Sequence, residues 1–233
     1  MLVNGKWTAN WDPVQATDDK GGFVRQISSF RHWVTPDGTP GVTGEGGFQA
    51  EADRYHLYVA LICPWASRTL IARKLKGLED IISVSVVEPW ILDQGWHFGD
   101  YPGADRDELN QAEWLHQIYT KAAPNFTGRA TVPVLWDKKT QTIVNNESAD
   151  IIRMLNSGFG SLASSSIDLY PDRLKDEIDE LLESMTKFSS SIPFEVVVVE
   201  DGSTIPCEDV IEKYNSRLTI AYYFKSNSGP GDS

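Results

Sequence analysis

The stretch Tyr55–Val87, YHLYVALICPWASRTLIARKLKGLEDIISVSVV, constrains this chain more than any other. Apolar residues alternate through Tyr55, Leu57, Val59 and Leu61, the two-residue period of a strand. The run stops at Cys63-Pro64. Proline suits the first helical position, because its fixed φ fits there and its missing N–H would have been unpaired anyway. A helix is expected over 64–77 and a second strand over 81–87. The order is then strand, cysteine, helix, strand, with Cys63 at or beside the N-cap. Orphan amides and the positive end of the helix dipole meet there, and both favour a thiolate. A buried core cysteine is the plainer alternative, since free cysteines usually fill space. The Cys-Pro junction weighs towards a reactive sulfur. Arg68 and Arg73 follow on the same helix and are expected to be solvated, since spacing alone aims neither at the sulfur.

Further along, the pattern is strand 55–61, helix 64–77, strand 81–87, helix 105–121, strands 132–136 and 141–145, and helix 148–156. Leu109, Ala112, Leu115 and Tyr119 share one face of the helix expected over 105–121. The excursion EPWILDQGWHFGDYPGA, residues 88–104, is rich in turn formers and is expected on the surface near the first helix. The order βαβ–αββα is that of a thioredoxin-like domain in an α/β chain. Thr131-Val132-Pro133 leads into the third strand. In this topology the proline is cis, and it offers the backbone of the preceding residue to a thiol substrate. Asn145-Asn146-Glu147-Ser148 closes the fourth strand and opens the last helix, which plain N-capping explains. The same residues also suit an amino-acid head group, Ser148 facing its carboxylate and Glu147 its ammonium.

Four segments are expected. Residues 1–54 form an extended arm that packs aromatics (Trp7, Trp11, Phe23, Phe30, Trp33, Phe48) onto the body 55–156. Residues 157–169 are a linker beginning SGFGSLASSS, and 170–233 form a second region. There a helix is expected over Tyr170–Ser184, a strand over Phe194–Val199 and a turn at Asp201-Gly202, while Cys207 in IPCED reads as an incidental thiol. With 233 residues, 41% of them hydrophobic, the chain can bury one or two cores. A net charge of −12 argues against nucleic acid as a partner. No run approaches the roughly 20 apolar residues of a membrane span, and MLVNGKWTANWDP has no signal-peptide pattern. Two cysteines in unlike contexts do not suggest a disulfide framework, so a cytoplasmic setting is expected.

Three strings then carry a resemblance: ADRYHLYVALICPWASRTLIARKLKGLEDIISVSVVEP, DQGWHF and TVPVLWDKKTQTIVNNESADIIRML. With them the chain resembles the glutathionyl-hydroquinone reductases, or Xi-class glutathione transferases, from about Phe48 to Asn156 and on through LYPDRLKDEIDEL. The resemblance implies a thioredoxin-like domain followed by a partial, mostly helical C-terminal region. It implies reduction of glutathionyl-hydroquinones by glutathione through a cysteine–glutathione mixed disulfide, with no metal. It makes Cys63 the nucleophile and Trp96 the indole over bound glutathione. Arg129, Ala130, Thr131, Val132 and Pro133 become the loop that contacts the peptide, and Glu147 with Ser148 the γ-glutamyl site. Glutathione and glutathionyl-quinones are the expected partners, with homodimerisation left open. Two departures stand out: Ser67 replaces a common histidine, and the loop between Val87 and Gly95 differs from the usual form. Beyond Ser184 the likeness stops, so the alternative expectation is a truncated module that binds glutathione or a partner without turnover.

Overall fold

The computed structural model describes residues 1–8, 28–42, 46–169, 196–201 and 220–225. Two compact units divide the chain, Met1–Trp11 with Ser28–Leu169, and Asp12–Ile27 with Tyr170–Ser233.

The first unit is built on β1 (Tyr55–Val59), α1 (Pro64–Leu75), β2 (Ile82–Val86), α2 (Leu115–Ala122), β3 (Val134–Asp137), β4 (Thr142–Asn145) and α3 (Ser148–Arg153). The sheet runs β4-β3-β1-β2, with β2 parallel to β1 and the other neighbours antiparallel. This is the thioredoxin-like order expected from the pattern. The central strand β1 is buried along its whole length, including His56 and Tyr58, because both faces of the sheet are covered. It ends at Val59, two residues early: the Cys63 amide turns back to the Ala60 carbonyl at 3.1 Å, leaving Leu61 and Ile62 exposed. Trp136, Tyr55, Tyr58, Tyr119 and Phe159 are the largest side chains sealed in the core. Each such burial contributes on the order of 2–3 kcal/mol. At the far end of β1, Arg54 grips the Asp137 carboxylate with two 2.8 Å hydrogen bonds.

Helix α1 stops where Gly77 takes a left-handed φ of 61° and its amide returns to the Lys74 carbonyl. The helix expected over 105–121 is shorter, and the difference has a cause. The buried Asp107 carboxylate accepts the amides of Leu109, Asn110 and Ala112, so residues 107–112 close a side-chain-held loop instead of a helical turn. Helix α2 begins only at Leu115, where the Gln117 side chain reaches back to the amides of Glu113 and Trp114. After α3 the chain makes a π turn over Met154–Gly158, and Phe159 packs edge-on against Tyr55.

In the arm, Leu2–Val3 pairs with Lys6–Trp7 around Asn4-Gly5, both at positive φ, the usual chemistry of a two-residue hairpin. Leu2 exchanges two backbone hydrogen bonds with Gly128. Trp33–Thr35 runs parallel to Gly47–Gln49, and residues 31–32 lie along β4. Trp11, Phe23, Cys207, Gly202 and the helix expected over Tyr170–Ser184 lie outside the described residues. In the second unit, strands Val196–Asp201 and Ile220–Lys225 pair in parallel. Of the strand expected over Phe194–Val199, residues 194 and 195 lie outside the described residues; the observed strand takes in Asp201, expected in a turn, and the second strand was not expected.

Candidate active site

Cys63 is the N-cap of α1, extended at φ −88° and ψ 114°, with Pro64 opening the helix. Its carbonyl accepts the amides of Ala66 at 3.1 Å and Ser67 at 2.9 Å. The expectation that first-turn amides would hold the sulfur needs correction. Proline has no amide to give, the Cys63 carbonyl takes those of Ala66 and Ser67, and the Cys63 side chain itself makes no capping hydrogen bond. The sulfur instead points to the Val132 carbonyl, 3.9 Å away. The Val132–Pro133 peptide is cis. Cys63 is half-buried and still sits at the positive end of the α1 dipole.

A tyrosine hydroxyl fixes the loop that faces the sulfur. Tyr119, on α2, donates to the Thr131 carbonyl at 2.8 Å and accepts from the Thr131 amide and from Asn146 Nδ2, both at 3.2 Å. That uses the hydroxyl's one donor and both acceptors. Tyr119 therefore ties the loop before Pro133 to the residues that open α3. The sequence pattern marked Tyr119 only as a core residue. The signal for its second role was that a buried tyrosine hydroxyl demands polar partners.

Glu147 caps α3, its Oε1 accepting the Ala149 amide at 3.4 Å and its Oε2 the Ser28 hydroxyl at 3.0 Å. The Glu147 amide donates to Asn145 Oδ1 at 2.7 Å. Ser148 Oγ accepts from Arg68 Nε at 3.2 Å and Nη2 at 2.6 Å. Arg68 was expected to be solvated, yet it spans from α1 to α3 and lies over the Trp65 ring at 4.8 Å. Arg73 is likewise engaged, donating to the carbonyls of Ile82 and Glu79, both at 2.7 Å. The turn between α1 and β2 and the first residue of β2 supply its acceptors, which helical spacing alone does not reveal.

Trp96 pairs with Ile91 in a short hairpin, Ile91–Leu92 against Gly95–Trp96, and packs half-buried on the core. Trp7 of the arm steadies this hairpin: its Nε1 donates to the Asp93 carbonyl at 2.9 Å, and its ring stacks on His116 at 4.8 Å. His116 in turn lies 3.3 Å from Gln94 Oε1, and burial lowers its pKa below 6.5. Arg129 lies near the Met1 ammonium, whose pKa is lowered by burial and by that guanidinium. Ala130 packs half-buried against the core. The fold thus joins Cys63 to Val132-Pro133, Thr131 to Asn146, and Ser148 to α1. Among the described residues Trp96 makes no hydrogen bond or ring contact with Cys63. Among them, too, no group of three or more His, Cys, Asp or Glu could hold a metal ion, and no helix is long and apolar enough to cross a membrane.

Residues 62–157 match the family model of the glutathione S-transferase N-terminal domain. Over 182 residues the chain is 58% identical to glutathionyl-hydroquinone reductase YqjG of Escherichia coli (strain K12), a match covering 78% of this chain and 55% of that protein. It is 43% identical over 183 residues to glutathionyl-hydroquinone reductase PcpF of Sphingobium chlorophenolicum, covering 78% and 54%. The glutathione-bound structure of YqjG superposes with a TM-score of 0.65 at 52% identity, over 81% of this chain and 55% of that one. The chain spans about half the length of the curated relatives it matches.

Proposed function

We propose, from the premise that this chain is a homologue of the glutathionyl-hydroquinone reductases, that it uses glutathione to reduce glutathionyl-hydroquinones through Cys63. The observation that carries this reading is the sulfur at the start of α1, 3.9 Å from the carbonyl of the residue before a cis proline. The Cys63 thiolate attacks the glutathione sulfur of the substrate. A Cys63–glutathione disulfide forms, the bond between sulfur and ring carbon breaks, and the ring carbon takes a proton to leave as hydroquinone. A second glutathione thiolate attacks the mixed disulfide, releasing oxidised glutathione and the Cys63 thiolate. Two electrons pass from the paired thiols to the ring.

The surrounding residues suit a glutathione held main chain to main chain. The Val132 amide has no acceptor among the described residues, which leaves it to pair with the peptide. Glu147 and Ser148 are assigned the γ-glutamyl end, Arg129 and Ala130 the approach to the loop, and Trp96 the open side of the bound peptide. The chemistry consumes reduced thiol and so fits a reducing compartment such as the cytoplasm. Intact-mass spectrometry after exposure to oxidised glutathione tests the reading. One glutathione adduct mapped to Cys63 is expected, and Cys63→Ala loses both the adduct and hydroquinone release. No adduct, or an adduct on Cys207 alone, overturns it.

A further inference from the structure

Ser148 Oγ is a hydroxyl with one proton to give and two lone pairs to fill. Arg68 fills both, through Nε at 3.2 Å and Nη2 at 2.6 Å. The oxygen is therefore spent as an acceptor, and its proton must go elsewhere. Ser148 is only 4% exposed, and its hydroxyl donates to no acceptor among the described residues. A buried donor left without an acceptor is costly, so such a pattern suits a site completed by a ligand. The ligand must be an acceptor, and the guanidinium behind the hydroxyl makes an anion the favoured one. That charge persists at any working pH, and a planar fork keeps its direction where an ammonium would not. Arg68 is itself braced by the Trp65 ring at 4.8 Å, on the same helix that Cys63 caps.

We propose that Arg68 is a positioning residue for substrate selection: by holding both lone pairs of Ser148, it commits the serine proton to a carboxylate of the γ-glutamyl group. The proposal rests on the glutathione reading above and adds a residue one turn along the helix that Cys63 caps. One rigid helix then registers both ends of the substrate. Its N-cap carries the sulfur, and its second turn sets the donor that receives the head group.

The test compares two disulfides on the whole chain. Oxidised glutathione carries the γ-glutamyl carboxylate; the disulfide of the dipeptide Cys-Gly lacks it. In each case the Cys63 thiolate attacks one sulfur, a Cys63 mixed disulfide forms and one thiolate leaves, so mass spectrometry reads both rates alike. The wild-type chain is expected to prefer oxidised glutathione. Arg68→Ala is expected to lower that preference about tenfold, the scale of one hydrogen bond to a charged group. Ser148→Ala should lower it to a similar extent, and the double variant no further, since the two residues act as a unit. Arg68→Lys, which keeps the charge but loses the fork, should recover part of the preference.

A preference untouched by Arg68→Ala overturns the proposal, as do equal losses with both disulfides, which mark a merely structural tie between α1 and α3. Additive losses in the double variant also overturn it. A wild-type chain with no preference for oxidised glutathione removes the glutathione reading itself, an outcome visible before any variant is made.

Discussion

His56 stands in β1 between Ser83 on β2 and Trp136 on β3, and is 5% exposed. Its Nδ1 lies 2.8 Å from Ser83 Oγ, while the buried Nε2 has no hydrogen-bond partner among the described residues. Burial, helped by the positive charges of Lys138 and Arg73, lowers its pKa from 6.5 to about 4. The unfolded chain therefore binds this proton near pH 6.5 and the folded chain only near pH 4. Between those values acid favours unfolding, and the stability is fully present only above them. Urea unfolding should show a loss of about 2 kcal/mol from this group between pH 7 and pH 5. His56→Gln should flatten that slope; an unchanged slope refutes the assignment. Asp137 behaves differently. Burial opposes its charge, but hydrogen bonds from Arg54 and Thr140 win and hold its pKa below 3.8, so its contribution fades only under stronger acid. Arg54→Ala strands that carboxylate in the core and should cost about 3–5 kcal/mol by the same measurement.

At the scale of elements, the Cys63-Pro64 junction made the start of α1 legible; its end, expected at 77, falls at Leu75 because Gly77 turns left-handed just beyond it. The start of α2 was not legible. Leu109 and Ala112 continue the apolar period of Leu115 and Tyr119, and periodicity cannot show that the Asp107 side chain has taken the backbone amides. Asp107 also accepts the Tyr58 hydroxyl at 3.0 Å. Asp107→Ala should destabilise the chain by roughly 2–4 kcal/mol through these stranded donors. The hairpin at Ile91–Trp96, inside the turn-rich excursion 88–104, was not legible for a similar reason: its support, Trp7, lies far away in sequence. Trp7→Ala removes a ring stack and a hydrogen bond, and amide exchange over residues 91–96 should quicken by about tenfold. Exchange at the wild-type rate would show that the arm does not steady this hairpin.

Across the molecule, the thioredoxin-like order could be read from alternation and turn chemistry, and the structure brings Cys63 and Val132 together as that order requires. What escaped were links that close only in three dimensions: Tyr119 to Thr131 and Asn146, and Arg68 to Ser148. Both run between elements whose spacing along the chain carries no period. If the site holds glutathione, the tripeptide should also stabilise the whole unit by mass action. Thermal unfolding at about 100 times the dissociation constant should show about 2.7 kcal/mol of added stability, and Ser148→Ala should need more ligand for the same effect. The arm has one more consequence. With the His32 amide on the Val144 carbonyl at 3.0 Å and Arg31 bridged to Asn145, it covers the outer rim of β4. An uncovered rim of that kind is a template on which other chains can stack. Clipping the arm should therefore raise fibrillar growth, read as thioflavin fluorescence, above that of the whole chain, whatever remains of its chemistry.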